Sequence, residues 1–362
     1  MLKKIAILFL SLLTVVLILT ATGCGSESTS SVSQNSGKVL VPQKASMIAK
    51  ISIDSVLADN TIRNAYDEAS KNADAPATFD ELIQTSQDQT GLDFTTFKEA
   101  TIFGDVNDIS NVTPENGLAA SQGYFGIIVS GTFKNDELIA SIESETGQKP
   151  GSESYNGYEI YTITDTASTD TSNSTPSSLA FLDEGVLVIG SSEAVKDVID
   201  IKNGKKGLDD DLLTAYENVD GSLGKLALNI PKEWLSQIPD EQDMGALGIL
   251  ELKPFREMKT GSVTFNKTGD TTDLEIKVDF SSGSAAISAQ NTLSKLIEDL
   301  QNLVNLPGGS GDMPQMSALI NLLNSAQLSV SDKWLTLRLE LTTEQIKELT
   351  PLLQGMFLNN SQ

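Results

Sequence analysis

An α+β fold with antiparallel sheets and helices on one face is predicted from three observations. Short apolar-polar alternations recur in pairs across tight turns. Each pair is followed by a segment with helical spacing. The connections between paired strands are too short for parallel crossovers. Within the 362 residues, this strand-turn-strand-helix unit recurs without a fixed period, and implies two related halves.

The body begins near Val39, and Val41-Pro42 favours extended backbone. Met47, Ala49, Ile51 and Ile53 alternate as a strand. Val56, Leu57, Ile62, Ala65, Tyr66 and Ala69 form the apolar side of a helix from about Val56 to Ser70. Phe79, Leu82 and Ile83 mark a second helix, with Phe94 and Phe97 extending its apolar face. Residues 123–133 are apolar on both faces, as in a central strand. Asn135-Asp136-Glu137 opens a helix with early acids, and Gly147 stops it. Residues 157–164 read as a strand, and 166–178 as a polar loop. That loop lacks calcium-loop spacing.

Leu179 to Ile189 is the first full unit, a hairpin through Asp183-Glu184-Gly185. Its helix runs from Ser191 to Ile201 and ends at Asn203-Gly204. Leu223 to Ile230 is a further strand. Residues 262–280 give a second hairpin, followed by a helix carrying Ala289, Leu293, Leu296, Ile297, Leu300, Leu303 and Val304. Gly and Pro make 306–316 a loop. Leu328 and Val330, a turn at Ser331-Asp332-Lys333, and Leu335 to Leu341 give a third hairpin. Thr342 and Gln345 suit a capping box for a last helix burying Ile346, Leu349, Leu352, Leu353 and Met356. The expected organisation is 1–23 as a signal, 24–38 as a tether, 39–219 as one α+β half and 220–358 as the other.

Composition restricts the chemistry. Forty-nine Asp and Glu against 25 Lys and Arg give a net charge of −24. Such a surface repels phosphate backbones, so nucleic acid is not an expected partner. There is no histidine, which excludes Ser-His-Asp and Cys-His pairs and imidazole metal sites. No catalytic residue, cofactor or metal ligand is assigned. Asp209-Asp210-Asp211 fits an acid-rich helix start better than a cation patch. Ser192 and Lys196 are the spacing for a histidine-free dyad, which needs a desolvated, neutral lysine. Trp234 and Trp334 are read as core residues rather than stacking platforms. The Gly308-Gly309-Ser310-Gly311 run lacks a phosphate-binding lysine.

The amino end carries the strongest signal. Lys3 and Lys4 precede an apolar run from Ile5 to Thr22, and the single cysteine follows Gly23. This is the layout of an export signal. Ala21-Thr22-Gly23-Cys24 resembles the lipobox of bacterial lipoproteins, with Ala21 where that family usually has Leu. The resemblance implies diacylglycerol on the Cys24 sulfur, cleavage after Gly23, and anchoring to the outer side of the cell membrane. Two acyl chains suffice for stable anchoring, at about 0.8 kcal/mol per buried methylene. An uncleaved membrane helix is the alternative, and it puts the body on the same side. Residues 25–37 then form a serine-rich tether reaching about 20 Å.

Three stretches of the body, VPQKASMIAKISID, SLAFLDEGVLVIGSSEAVKDVID and DGSLGKLALNIPKEWL, resemble the bacterial envelope proteins of the domain-of-unknown-function 3352 family. That family implies an envelope location and a mixed fold, and brings no activity or catalytic residue. The combined expectation is a non-enzymatic binding or scaffold module with an unidentified envelope partner. A carrier or sensor of an apolar ligand between helix and sheet layers is the alternative, and a histidine-free hydrolase is the third.

Overall fold

The computed structural model describes residues 39–70, 76, 78–90, 93–109, 123–147, 149–163, 177–243, 249–268, 271–304, 322, 324–342 and 345. Cys24 with Ala21, Thr22 and Gly23, the tether, the loop at 306–316 and the helix expected from Ile346 to Met356 lie outside them. The chain forms two compact units that divide between Thr214 and Ala215. Both are α+β with antiparallel strands.

The first unit holds β1 (Met47–Ser52), β2 (Phe97–Gly104), β3 (Phe125–Gly131), β4 (Gly151–Tyr155), β5 (Tyr158–Ile163), β6 (Ser177–Asp183) and β7 (Val186–Gly190). Their order is β1-β2-β3-β7-β6-β5-β4, antiparallel throughout. Ile48, Ile102, Phe103, Ile127, Leu179 and Val188 are essentially inaccessible. Phe103 lies opposite Gly126. A Cβ on Gly126 would fall 2.3 Å from the Phe103 ring. The missing side chain is therefore the space that the aromatic ring occupies, a pairing that also pins register.

Helix Ser192–Lys202 closes this core with Ala194, Val195, Val198, Ile199 and Ile201. Two adjacent apolar positions repeated four residues later make one buried stripe. The Ser191 hydroxyl caps its start, accepting from the Ala194 amide at 3.4 Å. Gly185, at φ 70°, supplies the left-handed turn between β6 and β7. Its carbonyl accepts from the Gly131 amide at 2.8 Å.

Two local readings are corrected. The helix expected from Val56 to Ser70 is two helices, Ile53–Ala58 and Asn60–Ser70. Asp59 breaks it by capping the second, accepting from the Ile62 amide at 3.1 Å. Phe97 does not continue a helix; it begins β2, after a single 3-10 turn at Phe94–Thr96. Asp93 nucleates that turn by accepting from the Thr95 amide at 3.0 Å. The short side chain of an acid thus redirects the backbone twice.

The second unit contains β8 (Gly224–Asn229), β9 (Glu241–Asp243), β10 (Ile249–Glu251), β11 (Met258–Thr268), β12 (Thr271–Phe280), β13 (Gln327–Ser331) and β14 (Trp334–Thr342). Its sheet runs β8-β11-β12-β14-β13, and β9 pairs with β10 alone. Alternation divides the sheet into two chemistries. Leu274, Ile276, Val278 and Phe280 share one face of β12 with Leu335, Leu337 and Leu339 opposite on β14. Helix Gly283–Val304 packs on that face through Ala286 and Ala289, which are fully buried with Phe280. The other face carries Asp273, Glu275, Lys277 and Asp279, beside Asn266, Thr264, Ser262 and Thr260 of β11.

Candidate functional site

The chemically active side chains suggested by the sequence are dispersed and engaged. Lys196 Nζ is 2.8 Å from Glu153 and lies over the Tyr155 ring, 5.4 Å from its centroid. A dyad with Ser192 needs a free amine, and this ammonium is held by a carboxylate instead. Asp210 caps helix Asp211–Glu217 by accepting from the Leu212 amide at 3.0 Å. Asp209 pairs with Lys206 and accepts from Gln43 Nε2 at 2.9 Å. Hydrogen bonds from Lys206 and then Gln43 hold the Asp209 carboxyl below its ordinary range. The three acids therefore serve a helix start and surface pairing. Among the described residues, no cluster of three or more Cys, Asp or Glu is placed to hold a metal ion.

The outer side of helix Ser192–Lys202 carries a polar network. Asp197 accepts from the Tyr124 hydroxyl at 3.0 Å and from Lys205 at 3.1 Å. Asp200 accepts from Tyr155 at 3.2 Å and from Asn156 at 2.8 Å. Asn203 donates to the Asn156 carbonyl at 2.9 Å. Burial first, and then the Asp197 charge, push the Tyr124 hydroxyl far above its usual titration range. Every partner here is internal, and the network fastens the β4–β5 turn to the helix.

An open pocket in the second unit has a different character. Lys232, Leu235, Ser236, Arg256, Glu257, Met258, Lys259 and Ser281 line about 370 Å³. Three cations stand around an apolar base in a chain whose acids outnumber its bases almost two to one. Helix Lys232–Ser236 brings Lys232 to the rim and buries Leu235. A 3-10 segment, Lys253–Glu257, brings Arg256 and Glu257. Lys259 sits at an irregularity of β11, between the paired residues Met258 and Thr260. Such bulges re-aim a side chain relative to the regular pleat.

Two of the pocket's charged groups already have polar partners. Arg256 reaches Asp240 at 2.7 Å and donates from Nε to the Ile238 carbonyl at 2.7 Å. Glu257 accepts from the Ser281 hydroxyl. Lys232 and Lys259 make no ion pair among the described residues. Beside Leu235, Trp234 is 43% exposed. This corrects its assignment to the core; Trp334, at the start of β14, is partly buried. Sequence reading missed this pocket because Lys232 and Lys259 are 27 positions apart and no periodic motif links them.

No family model matches the chain, and no curated protein does. Three crystal forms of TP0453 align over most of its length. Form I has 10% identity and a TM-score of 0.41, covering 86% of this chain and 96% of that one. Form III has 8% identity and 0.42, with the same coverages. Form IV has 9% and 0.43, covering 87% and 94%. At scores this low, no inference passes from TP0453 to this chain.

Proposed function

We propose that this protein is a lipid-anchored, extracytoplasmic binding or scaffold module without catalytic activity. The observation carrying this reading is the order Lys3-Lys4, apolar Ile5 to Thr22, then Gly23-Cys24. Diacylglycerol on Cys24 would tether the body, and residues 25–37 would hold it clear of the headgroups. The net charge of −24 agrees with a body facing water. The resemblance to the envelope family, domain of unknown function 3352, belongs to the same proposal.

Two related halves form a further part of this reading. The hairpin β6–β7 is followed by helix Ser192–Lys202, and the hairpin β11–β12 by helix Gly283–Val304. Replacing Cys24 with Ser tests the anchor. The wild-type chain is expected in the membrane fraction and the variant in the aqueous extracytoplasmic fraction. Equal membrane retention would point to an uncleaved helix instead.

An apolar-ligand carrier is the second reading. Leu226, Leu228, Val263, Ile276, Leu337 and Leu339 all lie on the helix-covered side of the second sheet, yet none is fully buried. Gentle extraction followed by mass spectrometry is expected to show a co-purifying lipid on this reading. Material free of lipid would reject it.

A further inference from the structure

We propose that the pocket at Lys232, Arg256 and Lys259 binds a small amphiphile with one anionic head, a phosphate or carboxylate, and a short apolar body. The inference is independent of the anchor at Cys24. It rests on the separation of charge and grease within one open cavity of about 370 Å³.

Charge selects the head. The chain as a whole is strongly anionic, so an unpaired cation has many potential intramolecular partners. Lys232 and Lys259 nevertheless make no ion pair among the described residues, although both line the same cavity. Glu257, the acid on the lining, accepts from the Ser281 hydroxyl and keeps its negative charge, so the cations of the lining still outnumber its acid by three to one, and Asp240 is held against Arg256. Glu233 is adjacent to Lys232 in the chain but is not part of the lining. A head in the cavity therefore has two ammonium groups without an ion pair among the described residues, beside the Arg256 guanidinium already fixed in place.

The base selects the body. Leu235 and Met258 supply the apolar part of the lining. Trp234, Ile249 and Ile287 are the large exposed apolar side chains among the described residues. Helix Gly283–Val304, which carries Ile287, packs against both β10 and the Lys253–Glu257 segment. Inorganic phosphate alone would leave the apolar lining wet.

Size follows from the global field. The Debye length is about 8 Å at physiological ionic strength. A small ligand inside the cavity responds to the adjacent cations. An extended anionic surface or polymer would also meet the acidic remainder of the body. The structure thus favours a small ligand over a membrane face.

Calorimetric titration of the full chain in phosphatidylcholine nanodiscs tests this, with empty discs as the blank. Hexyl phosphate is expected to bind saturably, at least about tenfold tighter than inorganic phosphate because its chain covers apolar surface. The Lys232→Gln/Lys259→Gln variant is expected to lose about tenfold in affinity. The Lys232→Arg/Lys259→Arg variant should retain binding, and Met258→Ala should weaken hexyl phosphate but not inorganic phosphate. No saturable heat, or undiminished binding by the glutamine variant at an unchanged urea midpoint, would overturn the proposal. Binding to phosphatidylglycerol vesicles without binding to hexyl phosphate would also overturn it, in favour of a membrane surface. Neither failure would touch the Cys24 anchor.

Discussion

Asp279 is 1% exposed, with Lys333 Nζ 2.9 Å from one carboxylate oxygen and no partner for the other among the described residues. Removing the carboxylate would take the Lys333 contact away from a buried position. Asp279→Ala is expected to lower unfolding free energy by about 2 kcal/mol in urea titration. Nearby, Glu275 faces a different balance. Burial alone would raise its pKa, but hydrogen bonds from Lys277 and Arg338 outweigh burial and hold it below the ordinary range. A carboxyl depressed by folding adds stability that is fully present above its unfolded pKa, and loses it as pH falls below that value and through the lower folded pKa. Denaturation midpoints measured from pH 6 to well below about pH 4.3 should therefore fall less steeply for Glu275→Gln than for wild type. These residue-level facts were hidden from sequence. Alternation placed Glu275 and Asp279 on the polar face, but only strand pairing brings Arg338 opposite Glu275. The same reasoning explains the pocket: neither Lys232 nor Lys259 carries a local signature, and a bulge rather than a motif aims the latter.

Hairpins followed by helices were legible because each carries its own punctuation. Asp183-Glu184-Gly185 and Ser331-Asp332-Lys333 turn between clean alternations, and both hairpins form where alternation places them. β2 was less legible, since its run FKEATIFG is apolar on both faces near its end and follows Phe94 at helical spacing. Tertiary burial decided it. β4 was missed for the opposite reason: GSESY is almost wholly exposed, with no apolar periodicity to read. That strand depends on pairing with β5 and on the turn being fastened to helix Ser192–Lys202. Asp200, which accepts from Tyr155, Asn156 and Lys205, is the fastening point. Asp200→Ala is expected to raise amide hydrogen exchange in β4 and β5 by about tenfold while leaving exchange in β3 and β7 unchanged. Uniform acceleration across the first unit would mean that the hairpin and core open together.

At the scale of the whole molecule, two opposed physical demands have to be met by one chain. The proposed apolar leader would have to enter a membrane, while the acidic remainder of a chain of net charge −24 would have to stay in water. On the proposed reading, cleavage and acylation at Cys24 would reconcile them, replacing the run Ile5 to Thr22 by two acyl chains. Among the described residues, no helix is long and apolar enough to cross a membrane. The pocket adds a separate task for the second unit, testable whether or not the anchor exists. Intact mass spectrometry of the chain isolated from its membrane bears most directly on the anchoring account. The expected species begins at Cys24, lacks residues 1–23, and carries a diacylglycerol mass on that cysteine. A species retaining Met1 and an unmodified Cys24 thiol would contradict it.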